Sequence, residues 1–471
     1  MDQDVSRTYP RYHIETKPAS NIVPYPTRFS VRVGKAGLAR HLLHEIIHQR
    51  FRMKLITSRP CIYGTFSGPI GGFAPRPKMC VGCLRCMTEY PKFVLISHNP
   101  ARARLGDSYF KPPLVDAVMY EAETGKIPVK GAGYRGPFGG DGWDGMWTDM
   151  SEIVRPTRDG IHGREFISTV VHLGERPSHL TFNEQGTSVG PQPHGFFLPL
   201  PMLLDLPPAS LLSDPLARIL VGAAGELETL AVLPITLINR LGLHGKHIVP
   251  LISRDDRKLL STLAEEPLMI ELLAPDEQLR SDVARRFSST ILCLRLSFAS
   301  GFEQQLLSAI DDGFRVFHLV ADYHGRNASG DFVLDLIRRA HQTLVQAGRR
   351  NDVTLIGGGG IILAEHVPKA IVCGLDLVSL DTSLLIALQS VMQGECVDPS
   401  SCRFHVPDFP FDWGVQRLKN LIASWRDQLL EVMGAMGLRE VRRLRGEMGR
   451  AMLQKDLERE AFEGISGYDE A

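Results

Sequence analysis

The chain lacks the two features that would direct it into a membrane or out of the cell. No stretch approaches the roughly eighteen uninterrupted apolar residues that a membrane-spanning helix requires. The N-terminus, MDQDVSRTYPRYH, has no apolar segment of the kind found in secretory signals. We therefore expect a cytoplasmic protein without a membrane span.

An excess of charge of either sign is also missing, because 53 Lys and Arg side chains balance 53 Asp and Glu side chains. Overall neutrality predicts neither a nucleic acid nor an anionic membrane as partner. The 471 residues, 44% of them hydrophobic, suffice for one large α/β barrel with a smaller domain, or for two to three ordinary domains. Composition thus indicates a globular protein and names no partner.

Cysteine is scarce, with eight in the chain, yet Cys80, Cys83 and Cys86 fall within seven residues. This C-x2-C-x2-C spacing lets one tight turn direct three thiolates at three irons of an iron–sulfur cluster. Tyr90 stands where a bacterial ferredoxin has its fourth cysteine. Either a distant cysteine completes a 4Fe-4S cluster, or a 3Fe-4S cluster needs only three ligands. A zinc knuckle is the alternative metal site.

A second metal-binding pattern, HEIIH at His44–His48, lies in a helix predicted over Lys35–Phe51. The H-E-x-x-H spacing places two imidazoles one helical turn apart, as in zinc peptidases. No third ligand stands out downstream, so we interpret the stretch as a helix with surface histidines.

The stretch 130–164 is dense in glycine, tryptophan and charge, and it shows little helical or strand periodicity. A long loop of this kind is usually functional. Arg155, Arg158 and Arg164 have the chemistry to clamp a substrate carboxylate or a phosphate. The alternative is an internal salt-bridge network that fixes an irregular segment.

From residue 196 onward the sequence alternates regularly between apolar strands and helical stretches. Eight such units predict an α/β fold with a closed (β/α)8 TIM barrel. The strands are expected at Leu198–Leu204, Thr229–Ile235, His247–Ile252, Leu268–Leu273, Thr290–Leu296, Arg315–Ala321, Val353–Ile356 and Asp376–Leu380.

The rest of the chain is divided around this barrel. We predict an N-terminal arm (1–34), a cluster-binding and glycine-rich loop region (35–195), the barrel (196–393), and a cysteine pair with a helical extension (394–471). The extension is predicted as two helices, over Trp413–Gly437 and Leu438–Glu463, that pack on the barrel or on a partner chain.

Four consecutive glycines, Gly357–Gly360, follow the seventh predicted strand. Without Cβ atoms, the turn can bring backbone N–H groups close to an anion beside a helix N-terminus. Asp381 and Thr382 end the eighth strand, and the loops after strands seven and eight of such barrels commonly bind phosphate. We predict a phosphate site at this rim.

Together these features resemble the FMN-binding glutamate synthase family, particularly its short archaeal-type members without a glutaminase domain. The similarity covers about residues 60–465 and is carried by CVGCLRC, GGDGWDGMWTDMSEIVRPTRDGIHGREF, HLVADYHGR, VTLIGGGGIILAEHVPKAI and GRAMLQKDLEREAF. The resemblance implies an FMN over the barrel mouth and an iron–sulfur cluster nearby. It further implies that their electrons reduce an imine formed from 2-oxoglutarate and ammonia.

Position by position, Gly358, Gly359, Gly360 and Ile361 match the phosphate turn of the family. Asp381-Thr382 matches its Gly-Thr after strand eight. The Asp381 carboxylate is a departure, because a negative charge close to a phosphate costs electrostatic energy unless it points away or is neutralised.

The second cysteine group matches the family only in part. Cys396-x5-Cys402 keeps the spacing of the first two cluster ligands in the large glutamate synthases, but Pro407 takes the third place. We therefore expect Cys80, Cys83 and Cys86 to hold the cluster, with Cys402 or Cys396, or less favourably Cys61, as the fourth ligand.

Two further departures concern the substrate side of the barrel mouth. The family's H-D-G-G-T-G-A loop after strand six is replaced by Ala321–Arg326, which includes His324. Arg295 stands on strand five where the family commonly has lysine, and arginine cannot donate a proton at neutral pH. Arg295 and His324 are the predicted catalytic residues, and the three arginines of the 130–164 loop are the predicted substrate ligands.

Three functions follow from the resemblance and its departures. The first is an FMN and iron–sulfur oxidoreductase of glutamate synthase type, served by an electron-donating reductase or ferredoxin. A separate glutaminase subunit is then expected, because the N-terminus begins Met1-Asp2 and has no cysteine nucleophile. The alternatives are an electron-transfer subunit of a larger redox complex and a scaffold without cofactors. An oligomer is expected.

Overall fold

The computed structural model describes residues 12–53, 61–67, 70–128, 139–148, 167–175, 181–189, 194–207, 211–405 and 408–467. Two compact units divide the chain: Asn21–Gly106, called here the small unit, and Met1–Ser20 with Asp107–Ala471, called the large unit. In the part of the chain that is described, no helix has the length and apolar character needed to cross a membrane.

The small unit is built on one antiparallel strand pair. Its elements are β1 (Phe29–Val33), α1 (Lys35–His48), α2 (Arg85–Glu89) and β2 (Val94–His98), with 3-10 helices at Gly71–Phe73, Pro77–Met79 and Pro100–Arg104. β1 and β2 pair with Phe29 opposite His98 and Val33 opposite Val94. Phe29, Val94 and Ile96 form a small core, against which Phe66, Cys80 and Cys86 pack.

In the large unit, short elements precede the barrel. They are α3 (Pro112–Thr124), a 3-10 helix (Gly142–Gly145), β3 (Met146–Thr148), β4 (Val171–Gly174), β5 (Thr181–Phe182), β6 (Ser188–Val189) and β7 (Gly195–Leu198). β4 pairs with β7 and β5 with β6, both antiparallel.

Eight parallel strands then close into a barrel, because β15 pairs with β8 as well as with β14. The strands are β8 (Met202–Leu204), β9 (Ala231–Pro234), β10 (Ile248–Ile252), β11 (Met269–Leu272), β12 (Ile291–Ser297), β13 (Val316–Val320), β14 (Thr354–Gly358) and β15 (Leu377–Leu380). All eight predicted strands are confirmed. Strands of a closed parallel barrel are buried on both faces, so they read as continuous apolar runs.

The helices alternate with these strands, as predicted. They are α4 (Asp214–Glu226), α5 (Ile235–Leu241), α6 (Glu277–Arg286), α7 (Phe302–Asp311), α8 (Val333–Gln346), α9 (His366–Cys373) and α10 (Thr382–Ala387). The third unit has a 3-10 helix, Arg257–Thr262, in place of an α-helix. Cys293 and Cys373 are fully buried, and a buried thiol packs as a small hydrophobe.

The C-terminal extension consists of one long helix followed by several short elements. After β16 (Val391–Met392) and β17 (Phe404–His405), α11 (Phe411–Ala435) packs against α3 and α4. The predicted single helix over Leu438–Glu463 is wrong: the segment forms 3-10 helices at Val441–Arg443 and Met448–Arg450, β18 (Ala451–Leu453) and α12 (Gln454–Phe462). β18 pairs with β3, so strand pairing prevails over helix propensity there.

Residues 12–20 of the predicted arm lie on the large unit in extended form. Arg417 of α11 donates from Nη1 to the Ala19 carbonyl at 2.8 Å, and Asn420 donates from Nδ2 to the Lys17 carbonyl at 2.7 Å. The predicted domain boundaries themselves stay predictions, although β1 lies within the segment assigned to the arm.

Candidate functional site

The glycine turn after β14 lies at the C-terminal rim of the barrel, as predicted. Gly359 has a φ of +125° and Gly360 a φ of +63°, values that side-chain-bearing residues rarely adopt. A Cβ added at Gly360 would lie 2.4 Å from the Tyr109 hydroxyl oxygen. Glycine is therefore required here by both conformation and space.

Two aromatic side chains from the segment before the barrel hold this turn. Trp143 donates from Nε1 to the Gly359 carbonyl at 3.0 Å, and the Tyr109 hydroxyl donates to the Gly360 carbonyl at 2.8 Å. Burial raises the pKa of Tyr109 well above its usual value, so the phenol remains a donor. The Gly360 N–H is itself donated to the Tyr323 carbonyl at 3.2 Å. The turn is thus fixed in one conformation before any ligand binds.

Asp381 occupies the neighbouring position after β15, next to the glycine turn because β14 and β15 are adjacent. Its carboxylate accepts the backbone N–H of Thr382. Burial raises the pKa of Asp381 to about 7, the Thr382 N–H opposes this shift, and the nearby Asp205 carboxylate adds to it. Close to neutral pH the group therefore exists in both its protonated and its charged form.

Two hydroxyl groups beside Asp381 have unused hydrogen-bonding capacity. Thr382 and Ser383 are both fully buried, and neither Thr382 Oγ1 nor Ser383 Oγ finds a hydrogen-bond partner among the described residues. A buried hydroxyl without a partner costs about 1–3 kcal/mol. Hydroxyl donors of this kind suit phosphate oxygens. The rim therefore fits a phosphate group when Asp381 carries its proton.

Arg295, a predicted catalytic residue, lies inside the barrel in an ion-pair network. Its guanidinium meets Asp205, at the end of β8, through Nη1–Oδ1 at 3.0 Å and Nη2–Oδ2 at 2.9 Å. It also meets Glu271 of β11 through Nη1–Oε1 at 2.7 Å. His318 of β13 completes the network with Nδ1 at 3.1 Å from Glu271 Oε1. Both terminal nitrogens of Arg295 thus donate hydrogen bonds to carboxylates of its own chain.

The charges in this network stabilise one another. Burial works to raise the pKa of Asp205, but Arg295 and then His318 hold that pKa below its usual value. Burial also works to raise the pKa of Glu271, but His318 and then Arg295 hold that pKa below its usual value. The two carboxylates raise the pKa of Arg295, which therefore remains a fixed cation and no proton donor. The network places a permanent charge cluster in the centre of the barrel.

His324, the second predicted catalytic residue, lies in the loop after β13 and pairs with Asp107. Its Nε2 lies 2.8 Å from Asp107 Oδ2. Asp107 also accepts backbone N–H groups from Phe110 at 2.7 Å and Cys396 at 3.0 Å. Burial works to raise the pKa of Asp107, but these hydrogen bonds lower it below its usual value. The pair connects the strand-six loop to the cysteine loop at the rim.

Cys396 and Cys402, both predicted as cluster ligands, are bonded to each other as a disulfide. Both residues are buried, and their loop is held to the strand-six loop by a hydrogen bond from the Tyr323 N–H to the Val397 carbonyl at 2.8 Å. They lie in the large unit, whereas Cys80, Cys83 and Cys86 lie in the small unit. Their role as metal ligands stays a prediction.

The predicted cysteine turn of the small unit, Cys80–Cys86, is tight. Its three thiols are free, as is that of Cys61. Gly82 and Leu84 have φ values of +72° and +62°, which bend the chain between the cysteines. Burial raises the pKa of Cys80, and the nearby thiols of Cys61 and Cys83 raise it further. Burial also raises the pKa of Cys86, and the thiols of Cys80, Cys83 and Cys61 raise it further. The turn thus brings Cys80, Cys83 and Cys86 together.

The histidines of the HEIIH pattern lie on the surface of α1, as predicted. His44 and His48 of α1 stack with ring centroids 6.0 Å apart, and the His44 side chain is 74% exposed, as expected for surface histidines. Within the described residues, no group of candidate metal ligands includes them.

Arg155, Arg158 and Arg164 lie outside the described residues, so their substrate role stays a prediction.

Comparison with known proteins connects this rim to one family. Residues 321–439, which contain the strand-six loop, the glycine turn and the cysteine pair, match the family described as a conserved region in glutamate synthase. The archaeal-type glutamate synthase [NADPH] of Dehalococcoides mccartyi is 22% identical over 445 residues, covering 79% of this chain and 86% of that protein. The chain is thus similar to the glutamate synthase family.

Other relatives match over shorter segments. The archaeal glutamate synthase [NADPH] of Methanocaldococcus jannaschii is 31% identical over 134 residues, and the match covers 26% of each chain. Among solved structures, a mandelate oxidase covers 64% of this chain and 98% of its own, at 14% identity and a TM-score of 0.37. The first of these matches adds to the family assignment, and the second adds nothing to it.

Several residues of the site could not be predicted from the sequence. Asp205, Glu271 and His318 lie in apolar strands or at their ends, and their polar character inside a buried run was the signal that they pair with one another. Asp107 and Tyr109 lie far along the chain from the rim they support, and no local pattern marks them.

Proposed function

We propose that the protein is an FMN and iron–sulfur dependent oxidoreductase of glutamate synthase type. It would reduce the imine formed from 2-oxoglutarate and ammonia to glutamate, with electrons supplied by a partner protein. The observation that carries the proposal is the pair of unpartnered buried hydroxyls, Thr382 Oγ1 and Ser383 Oγ, beside a rigid glycine turn at the rim. Similarity to the glutamate synthase family supports it.

The FMN phosphate would be held by the turn Gly358–Ile361 and by the hydroxyls of Thr382 and Ser383. When bound, FMN supplies the hydride chemistry, and the protein supplies binding, orientation and electrostatics. A proton on the Asp381 carboxyl group would keep that group neutral beside the phosphate. Arg295, fixed between Asp205 and Glu271, keeps a positive charge at the centre of the barrel.

The proposal is tested on protein purified without oxygen. Heat-released flavin, iron and acid-labile sulfide should all be found in stoichiometric amounts. Reduced protein supplied with 2-oxoglutarate and ammonia should then form glutamate at a rate far above that without enzyme. A colourless and iron-free preparation would reject the proposal and would favour the scaffold without cofactors.

One observation favours a second candidate, an electron-transfer subunit that makes no glutamate. Both terminal nitrogens of Arg295 already contact carboxylates of the chain, and His324 contacts Asp107. Neither group is then free to receive the carboxylates of 2-oxoglutarate. A protein that contains flavin and cluster but forms no glutamate, while it passes electrons to an acceptor dye, would establish this candidate.

The charge distribution supports an acidic electron carrier as the partner. The segment Asn21–Gly106 contains fourteen Lys and Arg residues and only two acidic residues, Glu45 and Glu89. The neutral total of the chain therefore conceals a strongly basic small unit around the cysteines. Opposite charges steer association of proteins and give rates that fall with ionic strength. A ferredoxin or an acidic reductase has the required surface.

Charge reversal near the cysteines tests this partner. Lys78→Glu with Arg85→Glu changes two exposed side chains of the small unit. We expect the rate of electron transfer from an acidic ferredoxin to fall about tenfold or more at low salt, because steering contributes factors of about 10–1000. The control, Arg285→Glu on α6 of the large unit, should leave the rate unchanged. Equal effects of both changes would reject the small unit as the docking surface.

A further inference from the structure

We infer that Cys61 is the fourth ligand of a four-iron cluster held entirely by the small unit, together with Cys80, Cys83 and Cys86. The inference rests on the iron–sulfur part of the proposed function and deepens it. It replaces the expectation that Cys396 or Cys402 reaches the cluster.

The backbone places the Cys61 loop beside the cysteine turn. Arg76, just before the Pro77–Met79 helix, donates its N–H to the Thr65 carbonyl at 2.7 Å, and the Cys80 N–H is donated to the Pro77 carbonyl at 3.0 Å. Phe66 and Cys80 pack against the same small core of Phe29, Val94 and Ile96. A short chain of direct contacts thus connects the segment that begins at Cys61 to the turn that contains Cys80.

The four thiols are neighbours and available for ligation. Cys61, Cys80, Cys83 and Cys86 are all free and partly exposed. Cys80, Cys83 and Cys86 share one tight turn, and the hydrogen bond between Arg76 and Thr65 brings the Cys61 loop to it. Cys396 and Cys402 are by contrast already bonded to each other in the large unit.

A buried hydroxyl points to a ligand at this place. Thr65 is only 2% exposed, and its Oγ1 meets no hydrogen-bond partner among the described residues. Thr65 follows Cys61 by four residues, and its carbonyl contacts the segment just before Cys80. A cluster between these cysteines would place inorganic or cysteine sulfur within reach of this hydroxyl, and hydrogen bonds to sulfur are a common feature of such sites.

The spacing of the thiols favours a cluster over zinc. Four sulfurs around one zinc, with Zn–S bonds of about 2.3 Å, lie about 3.8 Å apart. Among the described residues, no three of these cysteines have sulfur atoms that all lie within 4.8 Å of one another. In a cubane each thiolate binds a different iron, so the sulfurs are further apart.

The test uses the full chain purified without oxygen, and it compares Cys61→Ser with Cys402→Ser. The parent protein should contain about four irons and four sulfides per chain, with a paramagnetic signal after reduction. Cys61→Ser should contain at most about three irons and show a paramagnetic signal in the oxidised state, or lose the cluster. Cys402→Ser should keep the parent iron content and signal.

A second variant guards against misfolding of Cys61→Ser. Thr65→Val keeps the side-chain shape, so the iron content should be unchanged. The midpoint potential of the cluster should become more negative, because a hydrogen bond to sulfur that stabilises the reduced form is lost. Thr88→Val, an exposed threonine of α2 that contacts the Leu84 carbonyl, should leave the potential unchanged.

Three results would overturn the inference: a parent cluster that survives in Cys61→Ser and is lost in Cys402→Ser, one zinc per chain without sulfide, or a parent protein without iron. Absence of glutamate formation would reject the proposed reaction alone, because iron content and magnetic signal do not depend on turnover.

Discussion

Arg295 and Asp205 face each other through two parallel contacts, Nη1–Oδ1 at 3.0 Å and Nη2–Oδ2 at 2.9 Å. Both side chains are mostly buried, with 16% and 6% of their area exposed. Bidentate geometry of this kind is specific to arginine, because lysine offers a single point charge. Arg295 therefore suits the pair of carboxylate oxygens that Asp205 offers at the end of the first barrel strand.

Arg295→Met should destabilise the protein strongly. Asp205 and Glu271 would remain buried without their cation, and breaking a buried ion pair in this way costs about 3–5 kcal/mol. Urea unfolding measures the loss. The control, Arg254→Met, removes a guanidinium that is 82% exposed and pairs with Asp276, so it should cost at most about 1 kcal/mol. Equal losses would show that the network contributes no more than a surface pair.

Asp381→Asn should change the pH dependence of FMN binding. The pKa of Asp381 is raised to about 7, so its carboxyl group becomes negative as the pH rises through that value. A negative charge there repels a phosphate. The FMN affinity of the parent protein should therefore fall as the pH rises, and that of the variant should fall much less.

Flavin fluorescence titration on both sides of that pH provides the measurement. Titration of the FMN phosphate itself affects all proteins alike, and Asp311→Asn, which changes a side chain that is 74% exposed, provides the reference. Parallel curves for parent, variant and reference would place Asp381 away from the phosphate.

Gly360→Ala should cost more stability than Gly348→Ala, although both glycines have similar positive φ values of +63° and +67°. Both substitutions incur about 1–3 kcal/mol of backbone strain. Only at Gly360 would the new Cβ meet an atom, the Tyr109 hydroxyl at 2.4 Å, since no atom lies within 4 Å at Gly348. Thermal unfolding should separate the two variants.

A double-mutant cycle sharpens this comparison. Tyr109→Phe removes the hydroxyl, so Gly360→Ala should cost less in that background than in the parent. Costs that simply add would show that the two residues do not meet.

Thr382→Val should stabilise the protein without cofactor and weaken its binding of FMN. The hydroxyl is buried and unpartnered, so its removal should raise the free energy of unfolding by about 1 kcal/mol. Thr354→Val provides a matched control, because Thr354 Oγ1 is equally unpartnered but lies at the opposite end of β14 from the glycine turn. It should stabilise to a similar extent and leave the FMN affinity unchanged. A Thr382→Val protein that binds FMN as well as the parent would exclude this hydroxyl from the phosphate site.

The barrel was predictable from the sequence because each of its strands is a run of apolar residues, and such runs reflect burial on both faces. The glycine turn was predictable as a turn, since consecutive glycines mark one. The contacts that shape the site were not, because their partners lie far apart: Asp205 is 90 residues from Arg295, and Tyr109 is 251 residues from Gly360. No local pattern reports such pairs.

One error of interpretation has a physical cause of its own. The charges of residues 438–463 suggested a solvated helix, but the pairing of β18 with β3 determines the local structure. The balanced charge total, which by itself predicts no partner, holds only for the whole chain. Counting charges by compact unit requires the fold, which defines the units.

The anchoring of residues 12–20 by Arg417 and Asn420 has a consequence for synthesis of the chain. The anchor of Ala19 lies 398 residues further along, so the ribosome completes the small unit and the whole barrel before the arm has its binding site. Until then the arm and the surface that receives it are both exposed. Docking of the arm is therefore completed late in assembly. A chain that ended before α11 would keep only the contacts of the arm with earlier residues, such as the hydrogen bond from the Ala19 N–H to the Glu123 carbonyl at 2.9 Å.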